Sequence, residues 1–271
     1  SYLKPNISII GCGWLGLPLA AYLVKKGYNI KGSTTSKQKL VLLAKHHIQP
    51  YVLTLHEQGI TGDFNGLLSG SEIAIINIPP GLRKQPNKDH VKEIENLLKA
   101  IDTSAIKKII YISSTSVFKD TVDFPVITAQ QKPNSTDGKA KQLIAIEQLL
   151  SHRSNFDTTI LRFGGLFDEE RHPAKYLSGR SHISNPEAPI NLIHKNDCIH
   201  IIARLIEYDL FNTVLNAVYP QHPTKMDYYI TYCESNNLEV PAFNTTQKSK
   251  GKIVESSKLV QLLDYTFQKA P

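Results

Sequence analysis

The residues with the clearest chemical potential stand near the start. They are Gly11, Gly13 and Gly16, in the run Ile7-Ser8-Ile9-Ile10-Gly11-Cys12-Gly13-Trp14-Leu15-Gly16. A short apolar strand pattern enters the glycines, and an amphipathic pattern, Leu15 to Lys26, leaves them. In a G-x-G-x-x-G turn placed between strand and helix, each glycine has its own task. Gly11 permits the tight turn, Gly13 lets backbone approach a pyrophosphate, and Gly16 lets helix and strand pack closely. The pyrophosphate then meets free N–H groups and the positive end of a helix dipole. The expected chemistry is dinucleotide binding, with Gly11, Gly13, Trp14, Leu15 and Gly16 along the phosphates. The bland alternative is a glycine turn that only joins β to α.

The type of dinucleotide is read one strand further on. NAD-selective sites place Asp or Glu about 20 residues past the first glycine, on the ribose 2′-OH. Here that place holds Lys31-Gly32-Ser33-Thr34-Thr35-Ser36-Lys37, and no acidic residue occurs between Gly16 and Glu57. A carboxylate repels a 2′-phosphate, whereas hydroxyls and a lysine accept one. Ser33, Thr34, Thr35 and Ser36 are therefore expected at the cofactor, and NADP(H) is favoured, with NAD(H) as the alternative. The competing reading of these hydroxyls is a loop that caps the next helix.

The elements that must position these groups alternate strand and helix, as βαβ units do. Strand patterns cover Ile7–Ile10, Tyr28–Lys31, Tyr51–Leu55, Glu72–Ile78, Lys108–Ser113 and Asp157–Phe163. Helix patterns follow Gly16, Thr35-Ser36, Asp89 and either Ser135 or Asp137. The fold class is α/β, a doubly wound parallel Rossmann sheet with a small C-terminal substrate lobe. We expect one domain over 1–271, with the core over about 1–165 and the lobe over about 166–271, parts of it returning to the core. Ligands in such sheets bind outside the carboxyl ends of the strands. Asn77, Ile78, Pro79, Pro80, Ser113, Phe163 and Gly164 thereby join the cofactor set.

Composition narrows the class. The 271 residues are 41% hydrophobic and 20% charged, ordinary for a globular chain. No apolar run approaches the ~20 residues of a membrane span, and no signal core is read at the start, so a cytoplasmic protein without membrane partners is expected. Cys12, Cys198 and Cys233 are far apart, and the ten histidines form no H-E-x-x-H, so no disulfide framework or metal site is expected. The formal charge of +7 is spread over scattered lysines with no aromatic interleaving. That suits a solvated surface or an anionic small molecule, and argues against nucleic acid. Oligomeric state is left open.

The order and spacing of five segments carry a family resemblance over nearly the whole chain. They are Gly11–Gly16; Asn77-Ile78-Pro79-Pro80; Tyr111-Ile112-Ser113-Ser114-Thr115-Ser116-Val117-Phe118; Leu161-Arg162-Phe163-Gly164-Gly165-Leu166-Phe167; and Asn191-Leu192-Ile193-His194-Lys195-Asn196-Asp197. The chain resembles the extended and atypical branches of the short-chain dehydrogenase/reductase superfamily, in the NAD-dependent epimerase/dehydratase-like group. The resemblance implies that Ser114, three residues before Val117-Phe118, holds the reacting oxygen, with Thr115 beside the substrate. It implies no dehydration, because Thr115 and Ser116 stand where sugar dehydratases carry acids. The usual Tyr-x-x-x-Lys pair is absent, and no tyrosine lies between Tyr111 and Tyr176. If Asp137-Gly138 is matched to the Tyr-Gly of the family, Asp137 takes the acid's place and Lys141 the lysine's. If Glu147 is matched instead, these places fall on Lys139 and Leu143. Asp137 equally suits a helix N-cap.

After Phe163, Asp168–Pro189 reads as an insertion, in which Arg171, His172 and Arg180 are either substrate contacts or exposed loop residues. His194 and Asp197 read as structural, Asp197 capping a helix to about Glu207. Two functions remain in view. One is an NADP(H)-favouring epimerase/dehydratase-like oxidoreductase acting on a carbonyl or carbinol of a small, nucleotide-linked or anionic substrate. The other is a non-catalytic NADP(H)-binding sensor or partner-binding protein that has lost the catalytic tyrosine.

Overall fold

A computed structural model describes residues 3–271. In chain order the strands and helices are β1 (Ile7–Ile10), α1 (Gly16–Lys25), β2 (Ile30–Thr34), α2 (Leu40–Lys45), β3 (Gln49–His56), β4 (Gly59–Gly62), α3 (Phe64–Leu68), β5 (Ile73–Ile76), α4 (His90–Asp102) and β6 (Lys108–Ser114). There follow β7 (Val126–Ile127), α5 (Gly138–Ser151), β8 (Asp157–Phe163), β9 (Gly165–Phe167), α6 (Pro173–Leu177), β10 (Leu192–His194), α7 (Lys195–Glu207), β11 (Val214–Ala217), α8 (Lys225–Ser235), β12 (Ile253–Val254) and α9 (Ser257–Leu263). The chain divides into two compact units and passes between them repeatedly. The first holds residues up to Ser113 with Asp137–Leu161 and Ile202–Thr213; the second holds Ser114–Thr136, Arg162–Ile201 and Val214–Pro271.

The first unit is the Rossmann-like core. Its strands lie in the order β4-β3-β2-β1-β5-β6-β8. The pairs β3/β2, β2/β1, β1/β5 and β5/β6 are parallel, and β4 is antiparallel to β3. Strands β1 and β5 are buried at every position, as central parallel strands covered on both faces must be. Ile10, Ile76, Ile109 and Tyr111 pack with Ile94, Leu97 and Leu98 of α4 and Ile146 and Leu150 of α5. Each fully buried aliphatic side chain of this kind contributes roughly 1.5–3 kcal/mol. Side-chain oxygens fix the helix starts: Asp63 accepts Gly66 N–H, Asp89 accepts Lys92 N–H, and Asp137 accepts Ala140 N–H.

The second unit contains two small parallel ladders, β9/β10 and β7/β12. The final residues of β8 belong to it, and Gly164 N–H bonds Ala217 C=O of β11. Its own core gathers Phe167, Ala174, Ile190, Leu192, Tyr228, Tyr229 and Cys233.

Several boundaries depart from the sequence expectation. Strand β2 begins at Ile30 and runs through Thr34, because Tyr28 N–H closes the end of α1 on Leu23 C=O and the ladder sets Ile7 beside Ile30. The expected third strand is longer and turns back as the β3/β4 hairpin. Thr35-Ser36 do not cap a helix by side chain: Ser36 Oγ donates to Gln38 Oε1, and a 3₁₀ turn, Lys37–Lys39, precedes α2. Asp197 is not the cap of α7, which starts two residues earlier; His194 Nδ1 accepts Asn196 N–H there. The buried Asp197 carboxylate instead binds Tyr265 O–H and the N–H groups of Gln268 and Lys269. Among the described residues no helix is long and apolar enough to cross a membrane.

Candidate functional site

Two of the three glycines in the turn stand where their spacing predicts a need for glycine. Gly11 sits at φ 105°, and a Cβ there would lie 2.2 Å from Asn77 C=O. A Cβ on Gly16 would lie 2.0 Å from Gly11 C=O. Both are glycine because protein backbone leaves no room. Gly13 is different: its backbone is not left-handed, and a Cβ there meets nothing within 4 Å. Neither strain nor packing requires glycine at this point. Helix α1 also starts without a capping side chain, since Leu15 stands at its N-cap. The oxygens that Asp63, Asp89 and Asp137 give other helices are absent here, which suits an incoming phosphate. These residues fit a dinucleotide pyrophosphate. Leu15 itself is buried, and Trp14 is half-buried.

The end of β2 holds this turn in place. Ser33 Oγ accepts Gly11 N–H at 3.0 Å, and Ser33 C=O accepts Cys12 N–H at 2.8 Å. Ser33 is thus a brace beneath the turn. Gly32 leaves room for the Cys12 sulfur, since a Cβ there would come within 2.6 Å of it. Burial pushes the Cys12 thiol up to about 12, so it packs as an inert apolar group. Thr34 is buried, and its Oγ1 accepts Ser36 N–H. Lys31 is tied to the protein's own backbone: its ammonium donates to Gly66 C=O at 2.8 Å and Ser69 C=O at 2.7 Å, at the end of α3. The expectation of a lysine at the 2′-phosphate therefore passes to Lys37, exposed with Thr35 at this corner and next to the half-buried Ser36.

The ends of β5 and β6 complete the core's share. Asn77 N–H bonds Ile10 C=O, and Asn77 Nδ2 donates to Gly11 C=O at 3.3 Å, so Asn77 ties β5 to the turn. Ile78 packs on the core, Pro79 is exposed and Pro80 half-buried. Ser113 is buried, and its hydroxyl donates to Glu147 Oε2 at 2.7 Å. Tyr111 lies near the same carboxylate; burial first, then Glu147, raises its phenol well above the ordinary value. Asp137 accepts Ala140 N–H at 3.3 Å, so the capping alternative describes its side chain. Lys141 is exposed on the following turn.

The candidate residues of the second unit have their own settings. Ser114 Oγ accepts Ser116 N–H at 3.1 Å, which leaves its O–H proton available to another acceptor. Thr115 and Phe163 are buried, and Gly164 has backbone against it: a Cβ there would lie 2.7 Å from Asn191 C=O. Arg171 is exposed, its N–H bonded to Asp168 Oδ1. His172 is not an exposed loop residue. It is buried, its Nε2 lies 2.7 Å from Tyr228 Oη, its Nδ1 accepts Ala174 N–H, and its ring stacks on Tyr232 at 3.7 Å. Burial, then the Lys175 charge, lowers it to about 4, so it stays neutral. Its flanking Pro173 and the distant tyrosines gave no sequence signal for this box.

The sequence profile of the NAD(P)H-binding family matches residues 11–192. The chain is 27% identical over 267 residues to protein YeeZ of Escherichia coli K12, covering 97% of this chain and 96% of that protein. Among solved structures it is similar to MoeE5 in complex with UDP-glucose and NAD, with a TM-score of 0.79 at 13% identity over 98% of this chain and 94% of that one. It is likewise similar to UDP-N-acetylglucosamine 4-epimerase from Bacillus cereus, with a TM-score of 0.78 at 16% identity over 98% and 95%. The fold is thus the one that NAD-dependent epimerases and short-chain dehydrogenases share.

Proposed function

This chain belongs to the NAD(P)H-binding family, and from that premise we propose that it is an epimerase/dehydratase-like oxidoreductase of the atypical short-chain dehydrogenase/reductase type, with NADP(H) as its preferred cofactor. The carrying observation is the turn after β1, where Gly11 at φ 105° and Gly16 packed against Gly11 C=O lead into a helix start that no side chain caps. Gly11 to Gly16 hold the pyrophosphate, braced by Ser33 and Asn77. Thr35, Ser36 and Lys37 receive the 2′-phosphate, because this corner has hydroxyls and a cation and no carboxylate. A bound nicotinamide supplies hydride transfer. Ser114 donates a hydrogen bond, through its O–H, to the reacting oxygen, where a donor stabilises developing charge. Nucleotide-linked sugars are the first substrates to try, since two of the structural relatives are named for UDP-linked sugars.

The capping of Asp137 and the lack of a tyrosine between Tyr111 and Tyr176 favour a second reading, a cofactor-binding protein without the reaction. A panel of nucleotide sugars and simple carbonyls, followed by NADPH absorbance, separates the two. Turnover of any member supports the enzyme. Tight NADP(H) binding with no turnover across the panel supports the binding protein.

A further inference from the structure

The rotation of α5 is fixed by two side chains on the first unit's own elements. Glu147 accepts the Ser113 hydroxyl at the end of β6. Gln142 Oε1 accepts His90 N–H at 2.7 Å, and Gln142 Nε2 donates to Lys88 C=O at 2.9 Å, at the start of α4. The direction of α5 is fixed as well. Asp157 N–H bonds Lys107 C=O, so the chain leaving α5 starts β8 level with the start of β6. Helix α5 therefore runs against β6, and its first two turns project about 12 Å beyond the Ser113 level, past the carboxyl ends of the strands. That edge also carries the glycine turn and Asn77.

At 3.6 residues per turn, the arc of α5 turned inward is the one with Ala140, Leu143, Ile146, Glu147 and Leu150, all buried. Lys139, about 80° from Glu147, falls on this arc between the directions fixed by Glu147 and Gln142. Lys141, about 120° from Glu147 on the other side, falls opposite the arc's centre. Of the ionisable residues opening α5, Asp137 is spent on capping and Lys141 faces away. Lys139 is exposed, although Ala140 beside it on the same arc is buried. Gly138 beside it adds no bulk.

We propose that Lys139, and not Asp137 or Lys141, is the proton donor of this site, facing the reacting end of the dinucleotide; this rests on the cofactor reading above. A lysine ammonium brings three N–H donors and no acceptor. In a carbonyl reduction Lys139 gives one proton to the oxygen as the carbon–oxygen π bond opens. The carbon gains hydride from the reduced dinucleotide, which is oxidised; the carbonyl becomes a carbinol. The neutral amine then regains a proton from water. In the reverse direction the amine takes the carbinol proton.

The test is lysine acetylation by N-hydroxysuccinimidyl acetate, mapped by mass spectrometry on the full chain with and without saturating NADP⁺. Binding is first established by calorimetry. Lys139 should lose its modification when NADP⁺ is bound, while Lys141, two residues away, keeps its free rate. Equal modification of Lys139 in bound and free protein overturns the proposal and leaves the cofactor reading intact. Absence of NADP⁺ binding overturns both, and calorimetry shows that before any labelling. Any carbonyl that the panel reveals as a substrate should be turned over about 10²-fold more slowly by Lys139→Met than by Lys141→Met. Equal rates would remove the donor role even if Lys139 is protected.

Discussion

The Ser113 hydroxyl donates to Glu147 Oε2 at 2.7 Å, and both side chains are buried, Ser113 5% and Glu147 4% exposed. This bond joins the end of a strand to the middle of a helix and sets which face of α5 looks at the ligand edge. Ser113→Ala should cost about 1–3 kcal/mol, because it strips a donor from a buried carboxylate. Ser113→Thr, which keeps the hydroxyl, should recover part of the loss. Urea unfolding of the three proteins gives the comparison, and equal midpoints for parent and Ser113→Ala would mean that the bond holds nothing in place.

The three glycines of the turn should respond differently to alanine. Gly16→Ala places a methyl 2.0 Å from Gly11 C=O. It should destabilise by at least about 1–3 kcal/mol. Gly13→Ala meets no neighbouring atom. It should stay within about 0.5 kcal/mol of the parent. Thermal melts of both variants check this, and a reversed order would mean the turn is built differently.

The 2′-phosphate assignment rests on Lys37, since Lys31 is bound to Gly66 and Ser69. Lys37→Glu should weaken NADP(H) by about tenfold or more, near 1.4 kcal/mol, and leave NAD(H) almost unchanged. Added salt should shrink the difference, because a surface charge pair is screened. Titrations of both cofactors at two salt concentrations decide it. A Lys37→Glu protein that keeps the parent's NADP(H) affinity would move the phosphate elsewhere.

His172 gives the second unit a dependence on pH. Its folded value, about 4, lies below the ordinary 6.5, so the unfolded chain binds the proton first. The stabilisation is complete above pH 6.5 and is lost as pH falls toward 4. At about 1.36 kcal/mol per unit it amounts to about 3 kcal/mol at most. His172→Gln removes the titrating ring, and its melting temperature should fall less than the parent's between about pH 7 and pH 4. Parallel curves would show that the burial of His172 is not linked to its charge.

How much of this was legible in the sequence depends on how local each cause is. The glycine turn was, since each glycine answers to spacing along one strand–turn–helix. Asp89 and Asp137 were, since a cap acts within three residues. Strand β8 was, since the β-branched run Thr158-Thr159-Ile160 favours a strand locally. Register was not: whether β2 spans Tyr28–Lys31 or Ile30–Thr34 is decided by the pairing of Ile30 with Ile7, not by Lys31-Gly32-Ser33 themselves. The roles of Lys31, His172 and Asp197 were hidden for the same reason. Their partners lie far along the chain, at Ser69, Tyr228 and Tyr265. Glu147 showed only as a helix glutamate until Ser113 was beside it.

The most direct test of dinucleotide binding is calorimetric titration of the parent and Gly13→Asp with NADP(H), alongside circular dichroism and melting of both. A carboxylate at position 13 finds room in the protein but fills the space assigned to the pyrophosphate and repels it. The parent should bind, and Gly13→Asp should keep its fold and lose the heat of binding. A folded Gly13→Asp that binds NADP(H) as tightly as the parent, or a folded parent that binds no dinucleotide, would contradict the assignment of this turn.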